Sequence, residues 1–153
     1  MSGNRNLIGY CGLYCGACGI RQGKVKEAAG NLRKVIGAYG FDKIMPELAK
    51  WEPSMQHYAE FDKVMDGLVK LFGECPGCAA GGGDPTCVIR QCCQPKGYVA
   101  CVECKEMETC EKLRPSEQTK DRLRRIEAVG VDKWAEEMQR KVSAGYCYLD
   151  EKT

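Results

Sequence analysis

The pairs Cys75-Pro76-Gly77-Cys78 and Cys101-Val102-Glu103-Cys104 bracket a stretch, 75–110, that holds eight of the chain's 12 cysteines and has Gly81, Gly82, Gly83, Asp84 and Pro85 near its middle. Each pair sets two thiols three positions apart, and Pro76 and Gly77 let the first pair turn so that both sulfurs face one ion. Two such pairs separated by 22 residues follow the general plan of a four-cysteine zinc module. Cys87, Cys92 and Cys93 lie between them and Cys110 follows, so the stretch carries enough sulfur for two four-ligand sites. Its large apolar residues are chiefly Val88, Ile89, Tyr98 and Val99, too few to offset an ordering cost of about 1–2 kcal/mol per residue without ligand bonds. The stretch therefore reads as irregular and held by metal, with one short strand expected at 98–102.

Toward the N-terminus a second cluster stands alone. Tyr10-Cys11-Gly12-Leu13-Tyr14-Cys15-Gly16-Ala17-Cys18 spaces three thiols by three and then two residues. Three ligands leave a fourth position to be filled from elsewhere, and a later cysteine is expected to complete the site and clamp 8–18 onto the cysteine-rich stretch. Gly12 and Gly16 are expected to keep side-chain bulk away from these sulfurs. The same spacing occurs in radical S-adenosylmethionine enzymes. Those surround their cluster with a β/α barrel, which 153 residues without βα alternation cannot build.

The cysteine-free stretches carry helical periodicity. From Lys24 to Tyr39 the residues Val25, Ala28, Ala29, Leu32, Val35, Ile36 and Tyr39 share one face, and Gly37 and Gly40 end the run. A short helix with Ile44, Leu48 and Trp51 tolerates Pro46 only in its first turn, and Pro53 closes it. A third runs from about Ser54 to Phe72 on Tyr58, Phe61, Val64, Met65, Leu68, Val69 and Phe72. Ser116 is the expected N-cap of a helix through Leu123, Ile126 and Ala128, Gly130 breaks it, and Asp132 is expected to cap a last helix on Trp134, Met138 and Val142. The fold class is mainly α: a small helical domain, 1–153, with a loop of cysteines at 8–18, helices over 24–72, an irregular metal-held segment at 75–110, helices over 116–142, and little β.

Composition sets the compartment and excludes some partners. No apolar run approaches the roughly 20 residues that span a bilayer, so no membrane role is expected. No signal-peptide pattern opens the sequence, so a cytoplasmic location is expected. In a reducing cytosol, closely spaced cysteines serve metal binding more often than disulfides. The formal net charge is +2, and the stretch 75–110 carries three basic and four acidic side chains. With thiolates added it would repel a nucleic-acid backbone, so no nucleic acid is expected either. Lys120, Arg122, Arg124 and Arg125 alternate with Glu117, Asp121 and Glu127, which reads as a solvated helix face. His57, the single histidine, lies on a helix remote in sequence from every cysteine.

These residues resemble an uncharacterised cysteine-rich family of bacteria and archaea with a domain of unknown function. The resemblance runs over about 8–137 and rests on the Cys11–Cys18 opening, Cys75-Pro76-Gly77-Cys78, Cys87-Val88-Ile89-Arg90-Gln91-Cys92 with Lys96-Gly97 behind it, Cys101-Val102-Glu103-Cys104, Cys110-Glu111-Lys112-Leu113, Arg125-Ile126-Glu127 and Gly130-Val131-Asp132-Lys133-Trp134. Thr109 departs from the proline usual before the last cysteine of the pattern. The resemblance implies a metal-binding domain and no reaction, so no catalytic residue is assigned. Cys11, Cys15, Cys18, Cys75, Cys78, Cys87, Cys92, Cys101, Cys104 and Cys110 fall on the pattern and are the expected metal ligands, while Cys93 and Cys147 do not. Zinc is the expected metal, in a module serving interaction or regulation with a protein partner. An iron–sulfur cluster, in a redox or electron-transfer protein, is the alternative.

Overall fold

A computed structural model describes residues 4–113 and 116–151. Among them are six α-helices and no strand; the only β pairing is a single antiparallel bridge between Ile8 and Tyr14. The fold is mainly α, as the periodicity predicts. None of these helices is long and apolar enough to cross a membrane.

The chain divides into two compact units, one made of the stretch Gln22–Glu74 and the other of what precedes and follows it. The helical unit starts with α1 (Lys24–Tyr39), set between Gly23 and Gly40, whose φ angles of 74° and 66° require glycine. Next comes α2 (Met45–Leu48), with Pro46 in its first turn, and a 3-10 turn, Pro53–His57, leads into α3 (Tyr58–Phe72). The helices lie where the spacing of apolar residues puts them, yet the stripes are not buried. No residue of α1 is buried, and α3 buries only Met65. A unit of roughly 50 residues buries only a modest share of its surface. Arg33 ties α1 to α3: it donates to the Asp62 carboxylate at 2.8 Å, to the Asp62 carbonyl at 2.9 Å and to Asp66 at 2.7 Å.

The core lies in the cysteine-bearing unit. There α4 (Val88–Cys93) interrupts the stretch expected to be irregular, and α5 (Glu117–Val129) and α6 (Val131–Ser143) follow. Ser116 caps α5 through its side chain, accepting from the Thr119 amide at 3.2 Å. Gly130, at φ 86°, ends α5 and begins α6, so Asp132 lies inside the first turn and not at the cap. Leu123 and Ile126 of α5 and Trp134, Ala135 and Met138 of α6 pack with Ile8, Tyr14, Met107 and Leu113 in one buried cluster. The strand expected at 98–102 is absent: Tyr98 to Ala100 are bends and coil, and Cys101–Glu103 is a 3-10 turn. With no second strand beside it, the backbone there satisfies itself through local turns and the bond from the Cys101 amide to the Tyr10 carbonyl, 2.8 Å.

Candidate metal centres

The N-terminal cysteines ride on a tight loop. The Ile8–Tyr14 bridge brings the Gly9 amide to the Leu13 carbonyl at 2.6 Å, and the Gly12 amide donates back to Gly9 at 2.8 Å. Gly12 adopts φ 81°, and a Cβ there would meet Ile126 Cδ1 at 2.9 Å. A Cβ on Gly16 would meet the Tyr14 ring at 2.6 Å. Both glycines therefore make room for core side chains, which corrects the expectation that they serve to open the sulfurs. Tyr14 is fully buried and holds the loop, with its hydroxyl donating to Gln139 at 2.8 Å and its amide donating to the Tyr148 hydroxyl at 3.0 Å. A 3-10 turn, Cys15–Ala17, follows directly.

Onto this loop folds the Cys75–Cys78 turn. The Cys78 amide donates to the Cys15 sulfur at 3.4 Å. The position of a Cβ on Gly9 lies 3.5 Å from Cys78 Cβ and 3.9 Å from Cys11 Sγ. Burial pushes the Cys11 thiol up; the Leu13 amide and Arg122 oppose that, and the nearby Cys78 and Cys87 reinforce it. Cys15 is likewise raised by burial, with the Cys78 amide opposing and Cys78, Cys18 and Cys75 adding to the rise. Six of the expected ligands, Cys11, Cys15, Cys18, Cys75, Cys78 and Cys87, thus form one neighbourhood.

The other four surround a cavity. Cys92 at the end of α4, Cys101 and Cys104 at the two ends of one 3-10 turn, and Cys110 line it together with Cys93. The two C-x-x-C pairs, which spacing alone would put on one ion, are parted between the two neighbourhoods. Cys93, which is off the family pattern, is buried with its sulfur 3.4 Å from that of Cys101. The Cys101 thiol is pushed strongly up by burial, then by its contact with Cys93 and by Cys110 and Cys104 nearby. At the rim, exposed Lys96 is held above its ordinary value by Cys92 and Cys104. Cys147 is buried elsewhere, its sulfur 3.5 Å from where a Cβ of Gly19 would lie.

No disulfide joins any of the twelve cysteines, and among the described residues no three Cys, His, Asp or Glu side chains converge closely enough to share one ion. The donor set is nonetheless selective. No carboxylate or imidazole lines the cavity; five cysteines do, with Met107 and Tyr98, a sulfur-rich set that suits zinc or iron–sulfur and not magnesium or calcium. Residues that spacing arguments passed over position these thiols. Arg90 is buried and donates to the Gly82 and Asp84 carbonyls, tying the glycine loop to α4 so that it is not free. Arg21 donates to the Cys75 carbonyl at 2.9 Å. An arginine in a charged sequence carries no signal of such a role; only its burial reveals it. His57 is exposed, and Arg124 is paired with Glu108, Glu117 and Asp121, in keeping with a solvated, ion-paired face.

Residues 7–115, which hold all ten expected ligands, match the family described as Protein of unknown function (DUF3795). The chain belongs to this family. The matched span ends before α5, so the two helices that close the core around Tyr14 lie outside it. No curated protein and no solved structure matches the chain.

Proposed function

We propose that this member of the family is a metal-held module for protein interaction or regulation, with zinc bound by thiolates of the Cys11–Cys87 neighbourhood. The observation that carries the reading is the Cys78 amide donating to the Cys15 sulfur at 3.4 Å. A peptide N–H aimed at sulfur favours the ionised, metal-binding thiolate. Around it, the five thiols of two sequence-remote motifs, with Cys87, form one neighbourhood. Twelve unbridged thiols suit a reducing compartment, the cytoplasm. The interaction half of the reading is supported by the helical unit, which leaves Leu32, Val35, Trp51, Val64 and Leu71 exposed, Trp51 by 84%.

The test is elemental analysis of protein purified without air, followed by chelation with amide exchange as the readout. Bound zinc, and loss of protection across 75–110 on its removal, is the expected result. Metal-free, reduced protein with unchanged protection there would overturn it.

A further inference from the structure

Cys93 is the one cavity cysteine that is not an expected ligand, and it meets an expected ligand directly: its sulfur lies 3.4 Å from that of Cys101, with both residues buried. The chain between them is shaped to hold that contact. Gly97, at φ 69°, turns the backbone after α4, and the Tyr98 amide returns to the Cys93 carbonyl at 3.2 Å. The Cys101 amide, fixed on the Tyr10 carbonyl at 2.8 Å, sets the other end. We infer that Cys93 and Cys101 form an oxidisable pair, which closes to a disulfide under hydrogen peroxide and withdraws Cys101 from the thiols able to hold metal. The bond rests on this geometry; its effect on metal rests also on the thiolate chemistry proposed above.

Closing the bond asks little of the fold. A disulfide sets its sulfurs at about 2.05 Å, so these two approach by about 1.4 Å, a shift that side-chain rotation supplies. The cysteines stand eight positions apart, and the Tyr98–Cys93 bond already closes most of that loop, so the disulfide orders little that is not ordered already. The reaction balances with peroxide as the only co-reactant. One sulfur attacks peroxide and becomes a sulfenic acid as the O–O bond breaks and a water leaves; the neighbouring thiol then displaces the hydroxyl, forming S–S and a second water. Two thiols are oxidised, one peroxide is reduced, and both thiol protons end in water. Both cysteines line the cavity, whose space for about one water favours peroxide over bulky disulfide oxidants. Burial raises both thiols, so the pair reacts slowly and stays reduced until oxidant persists. Once joined to Cys93, Cys101 has no thiolate to offer, so a thiol that binds no metal itself governs binding by its neighbour.

The test treats the full, reduced chain with one peroxide per chain, blocks the remaining thiols and maps disulfides by mass spectrometry of the unreduced digest. The parent should lose two thiols and yield a Cys93–Cys101 crosslink that a dithiol reductant reverses. Cys93→Ser should yield no such crosslink, and Cys147→Ser should behave as the parent does. Should Cys93→Ser disturb its buried surroundings, the apolar Cys93→Ala supplies the same measurement. In a second arm zinc is added after treatment. Oxidised parent should bind less zinc per chain than reduced parent, whereas treated Cys93→Ser should match its untreated self. Cys101 crosslinked to Cys104 or Cys110 in place of Cys93 would overturn the pair, as would Cys93 and Cys101 both left free while other thiols oxidise. A Cys93–Cys101 bond with zinc binding unchanged would overturn the coupling to metal and leave the module reading standing. Reduced parent that binds no zinc would overturn the module reading, and the crosslink would still decide the pair.

Discussion

The Cys78 amide reaches the Cys15 sulfur at 3.4 Å across 63 positions of sequence. That bond turns two local motifs, a C-x3-C-x2-C loop and a C-x-x-C turn, into parts of one surface. A neutral thiol is a weak acceptor, whereas a thiolate is a good one, so the contact gains strength when Cys15 releases its proton to water on binding a metal.

Ligands and bystanders should separate by substitution. Serine at Cys75, Cys78, Cys101 or Cys104 is expected to lower bound metal per chain, while Cys93→Ser and Cys147→Ser should leave it near the parent value. Metal-to-protein ratios on freshly purified variants give the answer; equal losses at all six positions would dissolve the distinction.

Arg90 should matter through the two carbonyls it holds. Arg90→Ala strands the Gly82 and Asp84 carbonyls and removes bonds from a charged donor, at an expected cost of about 2–3 kcal/mol. Lysine cannot span both carbonyls with its single ammonium, so Arg90→Lys should recover little of the loss. Denaturant midpoints of the metal-loaded protein would show it, and an unchanged midpoint in Arg90→Ala would count against the assignment.

Gly12 is fixed by packing and by backbone at once. At φ 81°, with Ile126 Cδ1 at 2.9 Å from a new Cβ, Gly12→Ala should destabilise the cysteine-bearing unit by about 1–3 kcal/mol. Gly30→Ala, inside α1 with nothing in reach of its Cβ, should be neutral or slightly stabilising in a parallel thermal melt.

Metal uptake should release protons. Burial raises Cys11, Cys15 and Cys101 above the ordinary thiol value, so these groups are protonated at neutral pH and must ionise to bind. Calorimetry in buffers of different ionisation enthalpy should report release of more than one proton per ion, with affinity rising with pH. The metal-free chain follows the opposite sign. A raised thiol pKa contributes stability that is complete below the unfolded value of about 8.5 and is lost as pH climbs through the folded value. Metal-free protein that grows more stable as pH rises above about 8.5, the ordinary thiol value, would contradict this.

The helical unit should loosen by itself. Arg33→Ala removes the bonds to Asp62 and Asp66 that join α1 to α3, and no buried apolar layer replaces them. Amide exchange should quicken in α1 and α3 and stay unchanged in α5 and α6; uniform change across the chain would argue for a different coupling.

How much was legible follows from the range of the forces involved. Helix positions are local matters of apolar period, glycine and capping, so the run from Lys24 to Tyr39, the Ser116 cap and the break at Gly130 could be read directly. The knuckle at Cys75–Cys78 is equally local. The helix Val88–Cys93 escaped because a six-residue segment among cysteines shows no period to count.

The sequence by itself determined a mainly helical chain with ten patterned thiols and two that stand apart. Only the tertiary structure decided which thiols are neighbours. Tyr14, buried against α6, fixes the N-terminal loop, and that loop receives Cys78 at Cys15 while its Tyr10 carbonyl takes the Cys101 amide. Spacing along a chain constrains sulfurs a few residues apart; across 63 residues it constrains almost nothing, because closing a long loop costs nearly the same wherever its ends meet. The packing of a buried tyrosine, and not the count of residues between cysteines, makes that choice.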